Sequence, residues 1–327
     1  MMITNMKKKP IELYIHIPFC VKKCDYCDFL SFRALSSVHE AYVQQLIREI
    51  RAQSCYCTDC QVVSVFIGGG TPSLLEPSCI SRIMETVFSC FQVEPEAEIT
   101  IEANPGTLLG KKLPVYRQCG INRVSIGLQS ADNTELKNLG RIHSFEEFLK
   151  SFQSARMAGF TNINIDLMSG IPGQTLESWK NTLKKVTMLK PEHISAYSLI
   201  IEEGTPFYES YRAGKLELVS EEMDREMYHW TVDTLAEWGY GQYEISNFAK
   251  VGRQSRHNRI YWQAEEYLGM GLGAHSYMDG KRFHNSYDLQ KYISAKGDTS
   301  LLREDTELIT ETDALAEFMF LGLRLTE

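Results

Sequence analysis

This sequence contains no run of about 18 consecutive apolar residues, so no segment of it reads as a membrane span. Met1 to Pro10 carries three lysines but none of the apolar stretch that a secretory leader needs. Basic residues are in the minority. The 34 Lys and Arg against 42 Asp and Glu leave a net charge of −8, which offers no electrostatic footprint for nucleic acid. Nine cysteines, an odd number in a chain with no leader, argue against a disulfide framework and for reduced thiols in the cytoplasm. There is no internal repeat and no low-complexity segment. What is present is 327 residues with 43% hydrophobic content, enough to bury a sizeable core in one large α/β unit or two smaller ones.

Short β-rich runs alternate with longer amphipathic patterns over the first two hundred residues. The spacing predicts strands at Glu12 to Ile17, Val62 to Ile67, Glu98 to Glu102, Arg123 to Leu128, Ile163 to Leu167 and His193 to Leu199. Helices are predicted between them at Val38 to Arg51, Pro77 to Phe91, Leu108 to Cys119, Phe145 to Ala158 and Leu176 to Leu189. Six strands so connected imply a parallel sheet that curls into a barrel or partial barrel, with functional groups at the C-terminal ends of its strands. After about residue 200 the rhythm changes. Glu202-Glu-Gly-Thr-Pro is a turn signal, and a long helix is predicted from Glu221 to Trp238, capped by Ser220. A Gly-rich piece, Leu268 to His275, lies in a mixed tail. The apolar helix at Ala314 to Leu325 ends without a cap, as a shortened C-terminus would. The expected organisation is a tail over 1–10, a barrel unit over 11–200 and an α+β extension over 201–327.

A fourth cysteine is missing from the loop after the first strand. Cys20, Cys24 and Cys27 have the spacing C-x3-C-x2-C, whereas a cubane iron–sulfur cluster has four irons and usually takes four thiolates. Three thiolates leave one iron open to an exchangeable ligand. Gly68-Gly-Gly-Thr-Pro72 ends the second strand. No Lys-Ser/Thr comes after it, so it is not a phosphate-binding P-loop; a backbone cradle for an amino-acid group and an ordinary turn both fit. Polar residues end the later strands as well: Glu102-Ala-Asn-Pro, Gly127-Leu-Gln-Ser with Arg141 a dozen residues on, Asp166, and Tyr197-Ser198. Collected at one rim, carboxylates for hydroxyl or ammonium groups and a guanidinium for a carboxylate suit a nucleoside joined to an amino acid.

These motifs in this order resemble the radical SAM (S-adenosylmethionine) superfamily. Over essentially the whole chain from Tyr14 they are similar to the branch that holds oxygen-independent coproporphyrinogen III oxidase and its paralogue, the HemW-type haem chaperone family. The resemblance implies a partial (β/α)6 radical SAM barrel with a C-terminal extension, and a [4Fe-4S] cluster on Cys20, Cys24 and Cys27. It implies SAM contacts at Tyr14, Tyr26, Gly69, Gly70 and Thr71, and at Glu102, Gln129, Arg141 and Asp166, with Ser198 a looser member.

Two departures favour the chaperone family. The oxidase usually has a further cysteine two places past the third, where this chain has Phe29, and a longer N-terminal extension, where this chain has thirteen residues before Tyr14. Arg256-His-Asn-Arg-Ile-Tyr-Trp262 contains H-N-x2-Y-W, which resembles the chaperone's haem-binding motif. His257 would serve as iron ligand, and Tyr261 and Trp262 would offer flat faces to the porphyrin. Without the resemblance, His257 reads as a surface or capping histidine. Cys55, Cys57 and Cys60 form a second cluster at the opposite rim and read as idle thiols rather than as a metal site.

The reading is a cytoplasmic haem chaperone with a [4Fe-4S] cluster and SAM. Its partners would be haem and haem-acceptor proteins, respiratory proteins and peripheral membrane contact being among the candidates. The alternative is the porphyrinogen oxidase itself, a radical SAM oxidoreductase acting on coproporphyrinogen III.

Overall fold

The computed structural model describes residues 8–108 and 110–326; most of the 1–10 tail therefore lies outside the described residues. The first half is built from β1 (Lys9–Ile17), α1 (Ser36–Gln53), β2 (Cys60–Gly69), α2 (Pro77–Cys90), β3 (Val93–Ala103) and α3 (Lys112–Gln118). It continues through β4 (Arg123–Gln129), α4 (Asn133–Asn138), α5 (Phe145–Met157), β5 (Ile163–Ser169), α6 (Leu176–Met188) and β6 (His193–Ser198). Strands β1 to β6 pair in sequence order and in parallel, forming a partial barrel whose sheet does not close. All six predicted strands and all five predicted helices are found, with no end moved by more than five residues.

The strands alternate with period two in an unusual sense. Ile11, Leu13, Ile15 and Ile17 of β1, with Val65 and Ile67 of β2 and Ile163, Ile165 and Leu167 of β5, join the one large apolar core with helix residues such as Leu46, Ile83, Phe148 and Trp179. The other face of the same strands carries Glu12, Tyr14 and His16, then Glu98 and Glu102, then Asn164 and Asp166. This second set points into the barrel, so the barrel interior is polar and the apolar core lies between strands and helices.

The chain continues as α7 (Pro206–Arg212), α8 (Glu221–Glu237), β7 (Gly241–Glu244), β8 (Asn247–Ala249), α9 (Arg256–Trp262) and β9 (Tyr267–Met270). It ends with β10 (His275–Met278), β11 (Lys281–Asn285), α10 (Leu289–Ser294), β12 (Arg303–Leu308) and α11 (Glu311–Gly322). Ser220 caps α8, its hydroxyl accepting from the Met223 amide. The extension adds strands to both edges of the sheet. β8 and β7 attach antiparallel beside β6; β9 attaches parallel beside β1 and leads to β10, β11 and β12.

Crossing from one edge to the other, α9 passes beneath the strands. The Arg256 amide donates to Glu98 at 2.9 Å, near the start of the paired part of β3, so α9 forms the barrel floor. No helix among the described residues is long and apolar enough to cross a membrane.

One buried carboxylate fastens the β9–β12 edge. Glu49 of α1 accepts hydrogen bonds from the Tyr292 hydroxyl at 2.5 Å, the Asn285 amide at 2.6 Å and the Gly271 backbone N–H at 3.0 Å. Gly271 has φ +108°, and a Cβ there would lie 2.6 Å from the His16 carbonyl oxygen and 2.7 Å from the Tyr42 hydroxyl. Replacing Glu49 with leucine leaves three buried donors unpaired. The expected loss is about 2–4 kcal/mol of stability, read as a lower urea midpoint at unchanged m-value.

Candidate functional site

The loop after β1 is held at both ends. The Cys20 amide donates to the Phe32 carbonyl and the Phe32 amide to the Pro18 carbonyl, each at 3.0 Å. Its middle docks elsewhere, with the Asp25 amide donating to Leu139 O and the Asp25 carbonyl accepting from Phe207 N. Cys20, Cys24 and Cys27 are all half-buried. Cys20 Sγ lies 3.4 Å from Thr71 Oγ1, and Arg141 Nη1 donates to Cys24 Sγ at 3.6 Å. Burial pushes the Cys27 thiol up to about 11.

All three thiols line one cavity of about 360 Å³ at the C-terminal ends of the strands. Its walls include Tyr26, Gly69 and Gly70, then Glu102 and Gln129, then Arg141, Asp166 and Ser198. Thr71 and Tyr14 sit beside it rather than in it. Thr71 accepts from Asn104 Nδ2 at 2.9 Å, and the Tyr14 hydroxyl meets His16 Nδ1 at 2.9 Å. His16 Nε2 is bound to the Leu30 carbonyl, which only accepts, so Nε2 carries the proton and Nδ1 receives the Tyr14 proton.

The glycine run is a close-approach point. The Gly69 N–H donates to Glu102 Oε2 at 3.0 Å, with φ +109°, and a Cβ there would come within 2.6 Å of the His16 ring. The next two amides donate to Ile17 O and Phe19 O and lock the end of β2 to the start of the cysteine loop.

Arg141 is half-buried; its Nη2 donates to Asn104 Oδ1 at 2.7 Å and to the Gly127 carbonyl, while its Nε has no partner among the described residues. Asp166 accepts from Ser125 Oγ at 2.9 Å and from Asn164 Nδ2 at 2.7 Å. Gln129 adopts φ +73°, a left-handed conformation rare outside glycine. The Ser198 hydroxyl donates to Asp224 at 2.7 Å. Glu102 is pushed up to about 8, first by burial and then by the charge of nearby Asp166. Eleven of the thirteen residues predicted around the cluster and SAM thus share one cavity with Thr71 and Tyr14 adjoining it, and Asn104, Ser125 and Tyr197 line it too although none was assigned a contact with SAM. Period two contained the signal: Ser125 stands two residues before Gly127 and Asn164 two before Asp166.

The H-N-x2-Y-W residues lie at the other end of the strands and face inward rather than onto an open surface. His257 is 9% exposed, stacks on Phe66 at 4.0 Å and turns Nδ1 to the Glu12 carboxylate. Burial drives its pKa down to about 3, so it is a neutral imidazole. Tyr261 packs against Tyr267, and the Arg324 guanidinium covers the Trp262 ring at 4.2 Å. Cys57 and Cys60 are buried beside the α1–β2 connection while Cys55 is exposed, and burial pushes Cys57 up to about 12. Among the described residues no three His, Cys, Asp or Glu side chains are placed to hold a single metal ion.

A model of the Radical SAM superfamily matches residues 14–186. The heme chaperone HemW of Bacillus subtilis (strain 168) is 38% identical over 314 residues, covering 96% of this chain and 83% of that protein. The heme chaperone HemW of Escherichia coli (strain K12) is 36% identical over 335 residues, covering 98% of this chain and 84% of its own length. Among solved structures, coproporphyrinogen III oxidase (HemN) from Escherichia coli, a radical SAM enzyme, superposes with a TM-score of 0.84 at 27% identity, over 97% of this chain and 76% of that one.

Glu102 makes the ligand-free protein sensitive to pH. Its folded pKa of about 8 lies above the usual carboxylate value of 4.5. The stability it contributes is complete below about pH 4.5 and is lost as pH rises through 8, amounting to on the order of a few kcal/mol. Glu102→Gln has no proton to lose. Its melting temperature, measured from pH 5 to 8.5, is expected to gain on wild type as pH rises; parallel profiles would refute the assignment.

Proposed function

The chain belongs to the radical SAM superfamily, in the oxygen-independent coproporphyrinogen III oxidase-like branch beside the HemW-type haem chaperones, and from that premise we propose that it binds a [4Fe-4S] cluster, SAM and haem and passes haem to acceptor proteins in the cytoplasm. The observation that carries the cofactor half is three half-buried thiols lining one cavity together with Glu102, Arg141 and Asp166, with Phe29 rather than a thiol beside them. The donor set fits: three thiolates would hold the cluster and leave one iron without a protein thiolate, and the same cavity holds groups that suit an amino acid and a ribose.

In this reading Cys20, Cys24 and Cys27 hold the cluster. Gly69 and Gly70 cradle the amino-acid end of SAM, Glu102 takes its ammonium, and the unpartnered Nε of Arg141 adds positive charge beside its carboxylate. Tyr26, Gln129, Asp166 and Ser198 hold the nucleoside, while Tyr14 and Thr71 brace the wall. A reduced cluster held there would be a source of one electron for SAM. The protein's own work is to orient SAM and keep water from it.

The haem half rests on likeness to the named chaperones and on the motif in α9. His257 is neutral, the form that ligates iron. Since it is inward-facing, ligation requires α9 to turn the imidazole outward, carrying Tyr261 and Trp262 with it. Residues 11–200 then form the cluster and SAM unit, and 201–327 form the haem unit.

The test is anaerobic reconstitution. Wild type is expected to hold about four irons per chain, and alanine at Cys20, Cys24 or Cys27 to lose the cluster. Haem titration is expected to give a Soret band that His257→Ala weakens or shifts; identical spectra and affinity would remove His257 as the ligand. Robust protoporphyrinogen formation from coproporphyrinogen III would overturn the chaperone reading in favour of the oxidase.

A further inference from the structure

A line of polar side chains, buried in its middle and half-buried at its ends, runs the length of the barrel interior, from the cavity at the top to the helix that closes the floor. At the top, Asp166 Oδ1 accepts from Asn164 Nδ2 at 2.7 Å. Asn164 Oδ1 meets His193 Nδ1 at 2.6 Å, and His193 Nε2 meets the Tyr243 hydroxyl at 2.8 Å. The Tyr243 oxygen also faces the Ser255 backbone N–H and the Asn258 side-chain amide, each at 3.3 Å. Ser255 is the N-cap of α9, and Asn258 lies in its first turn. His193 is fully buried, and burial, reinforced by the charge of Arg123, holds it neutral.

The direction of every proton in this line is set by its two ends. The Ser255 N–H can only donate, and so can the Asn258 amide nitrogen. The Tyr243 oxygen therefore accepts both, and its own proton goes to His193. His193 Nε2 is then the bare nitrogen, and Nδ1 carries the proton that Asn164 Oδ1 accepts. Asn164 completes the line by donating to the Asp166 carboxylate. All dipoles point the same way, toward one anion, and hydrogen bonds in such a chain polarise one another.

We propose that His193 is a positioning residue that links occupancy of the cavity at Asp166 to the position of α9, so that SAM and haem bind with coupled affinities. The inference rests on the reading that SAM occupies the cavity and that α9 presents the haem ligand. Ligand hydroxyl or ammonium donors at Asp166 draw its negative charge toward themselves. Each link behind it is then less polarised, and Tyr243 holds the start of α9 less tightly. Release of α9 is the movement that brings His257 out of the interior, so SAM favours haem. The linkage is reciprocal: haem raises the affinity for SAM by the same factor.

Hydrogen exchange of the cluster-loaded protein tests this without haem. Saturating SAM is expected to raise exchange of the amides at 255–262 by about fivefold or more, the lower range of common coupling factors. Tyr243→Phe removes one hydroxyl from the line and leaves the partners of Asp166 in place. It is expected to bind SAM as wild type does, while α9 exchanges fast with or without it. In a haem titration, SAM is expected to lower the wild-type Kd by the same factor and to leave that of Tyr243→Phe unchanged. Should the variant fail to fold, the wild-type comparison alone decides. SAM bound with no change at α9 overturns the coupling and leaves the proposed function standing. An equal SAM effect in wild type and variant overturns the route through His193. Absence of SAM binding overturns both.

Discussion

The constraint on which this structure depends is the polar lining of an open barrel. Each parallel strand turns its apolar residues outward to the helices, so its polar residues have nowhere to go but the interior. A buried polar group without a partner costs a large share of a domain's net stability. The interior therefore has to be satisfied by itself, by a covering element or by a ligand. All three solutions occur. In the middle, Asn164, Ser125 and His193 bond one another. At the floor, Glu98 and Glu12 are met by α9. At the top, Glu102, Arg141 and Asp166 keep capacity to spare, and there the cavity opens.

The same constraint explains why the extension is needed. An incomplete barrel has two free edges and an uncovered floor. The chain after residue 200 supplies strands to both edges and sends α9 across the floor, where Arg324, just past α11, covers Trp262. It also reaches the cysteine loop from behind. Glu49 holds Gly271 against the His16 carbonyl, and His16 in turn holds the Leu30 carbonyl. The loop that carries the thiols is thus set by contacts more than two hundred residues apart in the chain.

Much of the first two hundred residues was legible. The six strands and their helices are long enough for periodicity to show, and their register is dictated by alternation. The cysteine loop, the glycine run and the strand-end polar residues were legible because a parallel sheet brings all such ends to one rim. In the extension, helix α8 and its Ser220 cap were legible, but the strands were not. Strands β7 to β10 have only three or four residues, too few to show a period, and their partners lie far along the chain. Nor was the inward direction of His257, because a motif specifies residue types and not the side of a helix on which a neighbour will lie.

By itself, then, the sequence determined the chemistry on offer: three thiols in one loop, a backbone cradle, and carboxylates and a guanidinium at strand ends. Local spacing suffices for that, because a strand alternates its faces and a turn sets the direction of the next segment. Only the tertiary structure decided which of these groups meet and which ends stay open. It buried Glu102 beside Asp166 and so shifted its proton, put His257 into the floor, and drew a single line of hydrogen bonds between the two ends. Those outcomes depend on burial and on partners from distant strands, and neither is a property of any short stretch of chain.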